Sequence, residues 1–172
     1  AYGSAEKIVR AIIKSGHEAM IEFASATFSV RTDRAIANQI VRHRLANYVQ
    51  ESTRYCNYSQ DKFGVSVHFI EPMGMDDRSF NEWFKACEEA EAHYFSLISK
   101  GCKAEQARSV LPLCTATTLY MNMNMREIRH FLSLRLDSHA QIDVQDIAKQ
   151  MLKLIHDFYP VYVEDLWEKY GK

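Results

Sequence analysis

Apolar residues recur at helical spacing through much of the chain and alternate with polar ones in shorter runs between. Behind Ser4, placed to act as an N-cap, Ile8, Val9, Ile12 and Ile13 form a helical stripe with Glu6 in its first turn, and Gly16 supplies a stop. Ala26-Thr27-Phe28-Ser29-Val30 then alternates as a half-buried strand does. Asp33 caps a second predicted helix that carries Ala35, Ile36, Ile40 and Val41 on one side and ends close to Arg42. A polar connection through Asp61-Lys62-Phe63-Gly64 leads to a second predicted strand, Val65-Ser66-Val67-His68-Phe69, which Pro72 and Gly74 break. Asp76 or Asp77 caps a long helix with Phe80, Trp83, Phe84, Cys87, Tyr94, Leu97 and Ile98 at core spacing up to Gly101.

Ala104 to Val110 reads as a short helix ended by Pro112, and Cys114 to Tyr120 is rich in strand formers. Met121, Met123 and Met125 alternate with asparagines. A strand running into a helix cap at Asn122 or Asn124 accounts for them better than a copper-binding methionine motif, and the helix then covers Met125 to Leu134. The final long helix spans roughly Val144 to Phe158, with Ile147, Met151, Leu154, Ile155 and Phe158 on one stripe, Pro160 behind it, and a short helix from Val163 to Tyr170 after that. The uneven succession of strands and helices predicts an α+β (mixed α/β) chain: a single domain over residues 1–172, with a central, mostly antiparallel or mixed sheet flanked by long helices.

Composition narrows the chemistry. A chain of 172 residues can bury roughly 70% of its unfolded surface in one core. Its formal net charge of −1 gives no global basic field to hold a nucleic-acid backbone. Cys56, Cys87, Cys102 and Cys114 form no CxxC pair and read as free thiols, with Cys114 in an apolar setting. The histidines form no HxH or HExxH pattern, so no metal site is expected. No apolar run approaches the roughly 18 residues of a membrane span, and no signal-peptide pattern opens the chain, which predicts a cytoplasmic protein without a membrane partner. Neither a GxGxxG nor a GxxxxGK[ST] stretch occurs.

One segment carries far more anion-binding hardware than a turn requires. Arg42-His43-Arg44-Leu45 is followed by Glu51-Ser52-Thr53-Arg54-Tyr55, so that guanidinium forks, hydroxyls and tyrosines crowd into a short stretch. A basic helix C-terminus would explain the first arginines but not Ser52 to Tyr55. The spacing Arg-His-Arg, seven residues, Ser resembles the signature of the flavin-dependent thymidylate synthases. Ser15-Gly16-His17-Glu18, Leu111-Pro112-Leu113, Asn124-Met125-Arg126 and Leu134-Arg135 with Asp137-Ser138-His139-Ala140-Gln141 resemble the same family in the same order.

The resemblance implies methylation of deoxyuridine monophosphate at C5, with methylenetetrahydrofolate as carbon donor and electrons passing from NADPH through FAD. It implies a homotetramer with sites shared between subunits, and an N-terminal strand before Ala1. Arg42, His43, Arg44, Leu45, Gln50, Asn124, Arg126 and His130 would contact FAD. Gln39, Arg42, Gln50, Glu51, Ser52, Thr53, Arg54, Arg108 and Arg135 would contact the nucleotide, and Arg135 would carry catalysis. A guanidinium beside N3 and a carbonyl oxygen stabilises an ionised, electron-rich pyrimidine ring by electrostatics, since arginine stays charged throughout. Its ordinary alternative is an ion pair with Asp137. Ser52 reads as a phosphate binder, because no base stands at triad-like spacing. His17 and Glu18 would lie near the flavin and folate.

Three positions depart from the family pattern. Ala19 stands where a serine or threonine is common, Asn47 replaces a common serine, and Val49-Gln50 stand where Asn-Glu is usual. Two rival functions remain: a non-catalytic nucleotide-binding or regulatory module on the same fold, and an RNA-binding domain using the basic segment and its tyrosines. Asn124, Arg126 and Arg135 are not needed by the first, and the near-neutral charge disfavours the second.

Overall fold

The computed structural model describes residues 3–61 and 64–171, so Lys62 and Phe63 of the expected polar connection lie outside the described residues. The elements in chain order are α1 (Ser4–Lys14), β1 (Ser25–Asp33), α2 (Arg34–Ile40), β2 (Asn47–Gln50), α3 (Asp77–Ser99), α4 (Ala104–Ala107), β3 (Ala116–Asn124), α5 (Met125–Arg135), α6 (Ile142–Phe158) and α7 (Glu164–Tyr170). Short 3-10 turns occupy Glu18–Phe23, Arg108–Val110 and Pro160–Tyr162. The α+β class holds, with an antiparallel three-stranded sheet in the order β1-β3-β2.

Several local readings are met and others corrected. Asp33 Oδ1 accepts the Ile36 N–H at 2.7 Å, Asp76 Oδ1 accepts that of Ser79 at 2.7 Å, and Asn124 Oδ1 that of Glu127 at 2.8 Å, each satisfying an orphan donor at a helix start. The first helix differs: Gly3, with φ 85°, precedes it, and Ser4 lies inside it. It ends as expected near Gly16, whose φ of 72° suits a residue without Cβ. The expected strand Val65–Phe69 is not one. Val65 takes φ 50° beside Gly64 at 75°, which turns the backbone out of extended geometry, and only Phe69 forms an isolated bridge, to Thr115. β2 and the Glu18–Phe23 turn are additions to the sequence reading.

The chain gathers into two compact units. The first draws on Ala1–Val30, Ile40–Tyr48 and Tyr120–Lys172. In it α5 packs against α6 and against the Glu18–Phe23 turn. Met121 and Met123 alternate inward along β3, and Ile128, Phe131, Leu132, Val144, Leu152 and Ile155 are buried with them. Each large side chain so buried contributes about 1.5–3 kcal/mol. Arg10 forks onto Glu164 at 2.8 and 2.9 Å, tying α1 to α7. The apolar stripe of α1 contains no buried residue, and Ile8 remains 57% exposed.

The second unit draws on Arg31–Gln39 and Val49–Leu119. Tyr58, Val67, Tyr94 and Ala107 form its buried cluster, with Phe69, Leu97, Ile98 and Leu111 packed around them. The Tyr94 hydroxyl accepts the Tyr58 N–H at 3.2 Å, and Glu91 accepts that of Val67 at 2.7 Å. Of the apolar positions read along α3, only Cys87 and Tyr94 are buried, while Phe84 is exposed.

Candidate functional site

Within the first unit, Asn124, Arg126, Glu127, Arg129, His130 and Ser133 project from the start and middle of α5 into a cavity of about 690 Å³, whose other walls are Glu18, Glu22, Leu45 and Leu166. Leu45, Asn124, Arg126 and His130 were expected to share a ligand, and they do share this cavity. Leu45 holds φ 61° and is 81% exposed, a strained backbone carrying an apolar residue into solvent. The preceding Arg42 and Arg44 are exposed, and among the described residues no hydrogen bond or ion pair engages either side chain. His43 between them is buried, its Nε2 lying 2.7 Å from Glu127 Oε1 but not aligned as a hydrogen bond. Its ring centroid is 5.6 Å from that of His130 and 5.1 Å from that of Phe131. Burial pushes the His43 imidazole below its usual proton affinity. Glu127 opposes that shift, and His130 and Arg135 add to it.

The cavity's own arginines are partly neutralised. Arg126 Nη1 donates to Glu22 Oε1 at 2.5 Å, an ion pair between two residues of the cavity wall. Arg129 donates to Glu18, to the Tyr162 carbonyl and in a fork to Asp165 at 2.7 and 2.8 Å. FAD needs volume, donors for the edge of its ring system and cations for its pyrophosphate. The cavity supplies the volume, Asn124, Arg126 and His130 the donors, and Arg42 and Arg44 the uncompensated charge, so the residues present fit it. Ala19 and His17 are exposed and outside the lining, whereas Glu18 is part of it.

Within the second unit the nucleotide candidates form a separate polar cluster. Arg54 Nε donates to Glu105 at 3.1 Å, Arg108 Nε to the Glu105 carbonyl at 3.3 Å, and Arg108 Nη1 to Thr53 Oγ1 at 3.2 Å. Ser52 Oγ accepts the Arg54 backbone N–H at 3.3 Å, which fixes the hydroxyl at this turn. Thr53 is buried, and its hydroxyl accepts the Arg108 hydrogen bond. The Glu51 carboxylate accepts from the Tyr58 hydroxyl at 2.8 Å and lines a cavity of about 330 Å³ with Arg31, His68 and Thr117. Burial and that carboxylate raise the Tyr58 hydroxyl pKa strongly, so Tyr58 stays a donor. Gln50, expected on both ligands, donates to Thr117 Oγ1 at 3.3 Å. Gln39 is a half-buried residue of α2.

Arg135 is half-buried in the last turn of α5, its guanidinium 5.9 Å from the Phe131 ring centroid. Asp137 accepts the His139 N–H at 2.9 Å and lies 2.7 Å from its Nδ1. Sequence reasoning missed Glu22, Glu127, Arg129, Ser133 and Glu105. The spacing of Arg126, Arg129, His130 and Ser133 at i, i+3, i+4 and i+7 places all of them on one helical face, a signal sufficient to find two of these. Among the described residues no helix is long and apolar enough to cross a membrane.

Comparison with known proteins matches residues 1–161 to the family described as Thymidylate synthase complementing protein. The chain is 34% identical over 149 residues to the flavin-dependent thymidylate synthase of Pyrococcus furiosus, covering 86% of this chain and 61% of that protein. It is 35% identical over 156 residues to the one from Geobacter sulfurreducens, covering 90% and 66%. The enzyme of Saccharolobus solfataricus is 34% identical over 156 residues, covering 90% and 58%. The chain thus spans about three-fifths of the length of the curated relatives it matches.

Proposed function

Since the chain belongs to the Thymidylate synthase complementing protein family, that of the flavin-dependent thymidylate synthases, we propose that it carries out the reductive methylation of deoxyuridine monophosphate to thymidylate. Methylenetetrahydrofolate is the carbon donor and NADPH the reductant in this reading. The observation that carries it is the convergence of Leu45, Asn124, Arg126 and His130 on one cavity, with Arg42 and Arg44, which have no acidic partner among the described residues, in the segment that ends at Leu45.

FAD, when bound, supplies two-electron redox chemistry. The chain's own residues bind and orient. Asn124, Arg126 and His130 present donors to the ring system, and Arg42 and Arg44 present charge to the pyrophosphate, while buried His43 fixes the segment that carries them. Ser52, Arg54 and Arg108 hold the nucleotide phosphate: two guanidiniums and a hydroxyl suit a dianion better than one point charge. Glu51, steered by Tyr58, and the amides of Gln39 and Gln50 offer hydrogen bonds to the rest of the nucleotide. In the sites that the homotetramer would share between subunits, an Arg135 set against the pyrimidine stabilises negative charge that develops on the ring as C5 becomes nucleophilic. Sites shared within a homotetramer complete this reading.

The test is the visible absorbance spectrum of the purified protein after incubation with FAD and desalting, followed by addition of deoxyuridine monophosphate. A retained flavin spectrum that the nucleotide perturbs supports the synthase. Nucleotide binding without any retained flavin favours a non-catalytic nucleotide-binding module.

A further inference from the structure

Two sulfur atoms that the proposed chemistry does not use lie in contact. Cys87 Sγ on α3 is 3.5 Å from Cys114 Sγ, in the turn that leads into β3, and both are free thiols within the second unit. A disulfide requires an S–S distance of about 2.05 Å, so the atoms must close by roughly 1.5 Å, a displacement on the scale of side-chain rotation. The backbone that presents Cys114 is held firmly. Its carbonyl accepts the Ile70 N–H at 2.9 Å, and the flanking Leu113 and Thr115 carbonyls both accept the Arg34 N–H, at 3.0 and 3.1 Å. Thr115 Oγ1 also donates to the Pro112 carbonyl at 2.7 Å.

We propose that Cys87 and Cys114 form a two-electron redox site that a peroxide closes to an intrachain disulfide. Cys114, half-buried, reacts first: its thiolate attacks a peroxide oxygen, the O–O bond breaks, and the departing hydroxide takes a proton to become water. The Cys87 sulfur then attacks the resulting sulfenic sulfur. The S–O bond breaks, the S–S bond forms, and the Cys87 proton leaves with the hydroxyl group as a second water. Two thiols and one hydrogen peroxide give one disulfide and two waters. Burial pushes the Cys87 thiol up to about 12, which suits a slow resolving partner shielded from direct attack. The product staples α3 to the turn before β3, the strand that supplies Thr117 to the Arg34 and Gln50 side chains. The inference stands independently of the synthase reading.

Hydrogen peroxide added to the full chain, followed by denaturation, alkylation and digestion without reductant, tests it by mass spectrometry. The expected product joins the peptides containing Cys87 and Cys114 with the loss of two hydrogens, is undone by dithiothreitol, and lowers the titratable thiols from four to two. Cys87→Ser should leave a Cys114 sulfenic acid that a dimedone probe captures, and Cys114→Ser should leave Cys87 reduced. Recovery of both peptides alkylated or over-oxidised without a cross-link, or a cross-link through other cysteines, overturns the proposal. The peptide map of the unaltered chain decides the matter even if neither variant folds.

Discussion

Arg135 and His43 share one charged neighbourhood, in which the arginine weakens the proton affinity of the buried imidazole. If Arg135 stabilises the ionised pyrimidine, its planar fork matters more than its charge. Arg135→Lys should leave flavin bound and slow methylation about 10²-fold or more, the scale of losing one preorganised donor. Unchanged single-turnover rates would remove Arg135 from the mechanism. The His43 imidazole, held below its ordinary value near 6.5, implies a pH dependence whose sign is fixed. Unfolded chain takes up a proton that the native ring refuses, so stability is full above that value and declines as pH falls through it. Chemical denaturation at stepped pH should show that decline, and His43→Gln should flatten it. The candidate ligand-binding residues of this neighbourhood stood out in the sequence because their types and spacing are unusual. Glu127 did not, because a glutamate inside a helix looks like part of a solvated face until its burial is known.

At the start of α5 one side chain combines a folding role with a candidate binding role. Asn124 caps the helix through the Glu127 N–H and also lines the large cavity. Asn124→Ala should cost about 1 kcal/mol in urea unfolding and weaken flavin retention. Asn124→Ser should restore most of that stability without restoring the amide, so flavin retention that recovers fully with stability would assign Asn124 to capping alone. The helix caps at Asp33, Asp76 and Asn124 were readable from sequence because a short acceptor before an apolar stripe has few other uses. The strand expected at Val65–Phe69 failed for a local reason, the left-handed backbone at Gly64 and Val65, which an alternating pattern cannot report. β2 escaped notice because Asn47–Gln50 is short and sits within a stretch whose composition was dominated by ligand-binding residue types.

At the scale of the whole molecule, the proposed sharing of sites between subunits is the claim most open to a direct check. Sedimentation equilibrium of the flavin-loaded protein should show an assembly larger than a monomer, and a stable monomer with full activity would end the shared-site reading. The α+β class was legible in the sequence, whereas the division into two compact units was not, since it depends on contacts between segments far apart in the chain. That division has a consequence for synthesis. Every residue of the unit built from Arg31–Gln39 and Val49–Leu119 has been made by the time Leu119 is added, while the other still lacks everything from Tyr120 onward. On the ribosome, the unit that starts later in the chain is therefore complete first. The helix that carries the Ile8, Val9, Ile12 and Ile13 stripe packs on the Pro160–Tyr162 turn, which is made far later, so in the interval the stripe is a surface on which a nascent-chain chaperone can act.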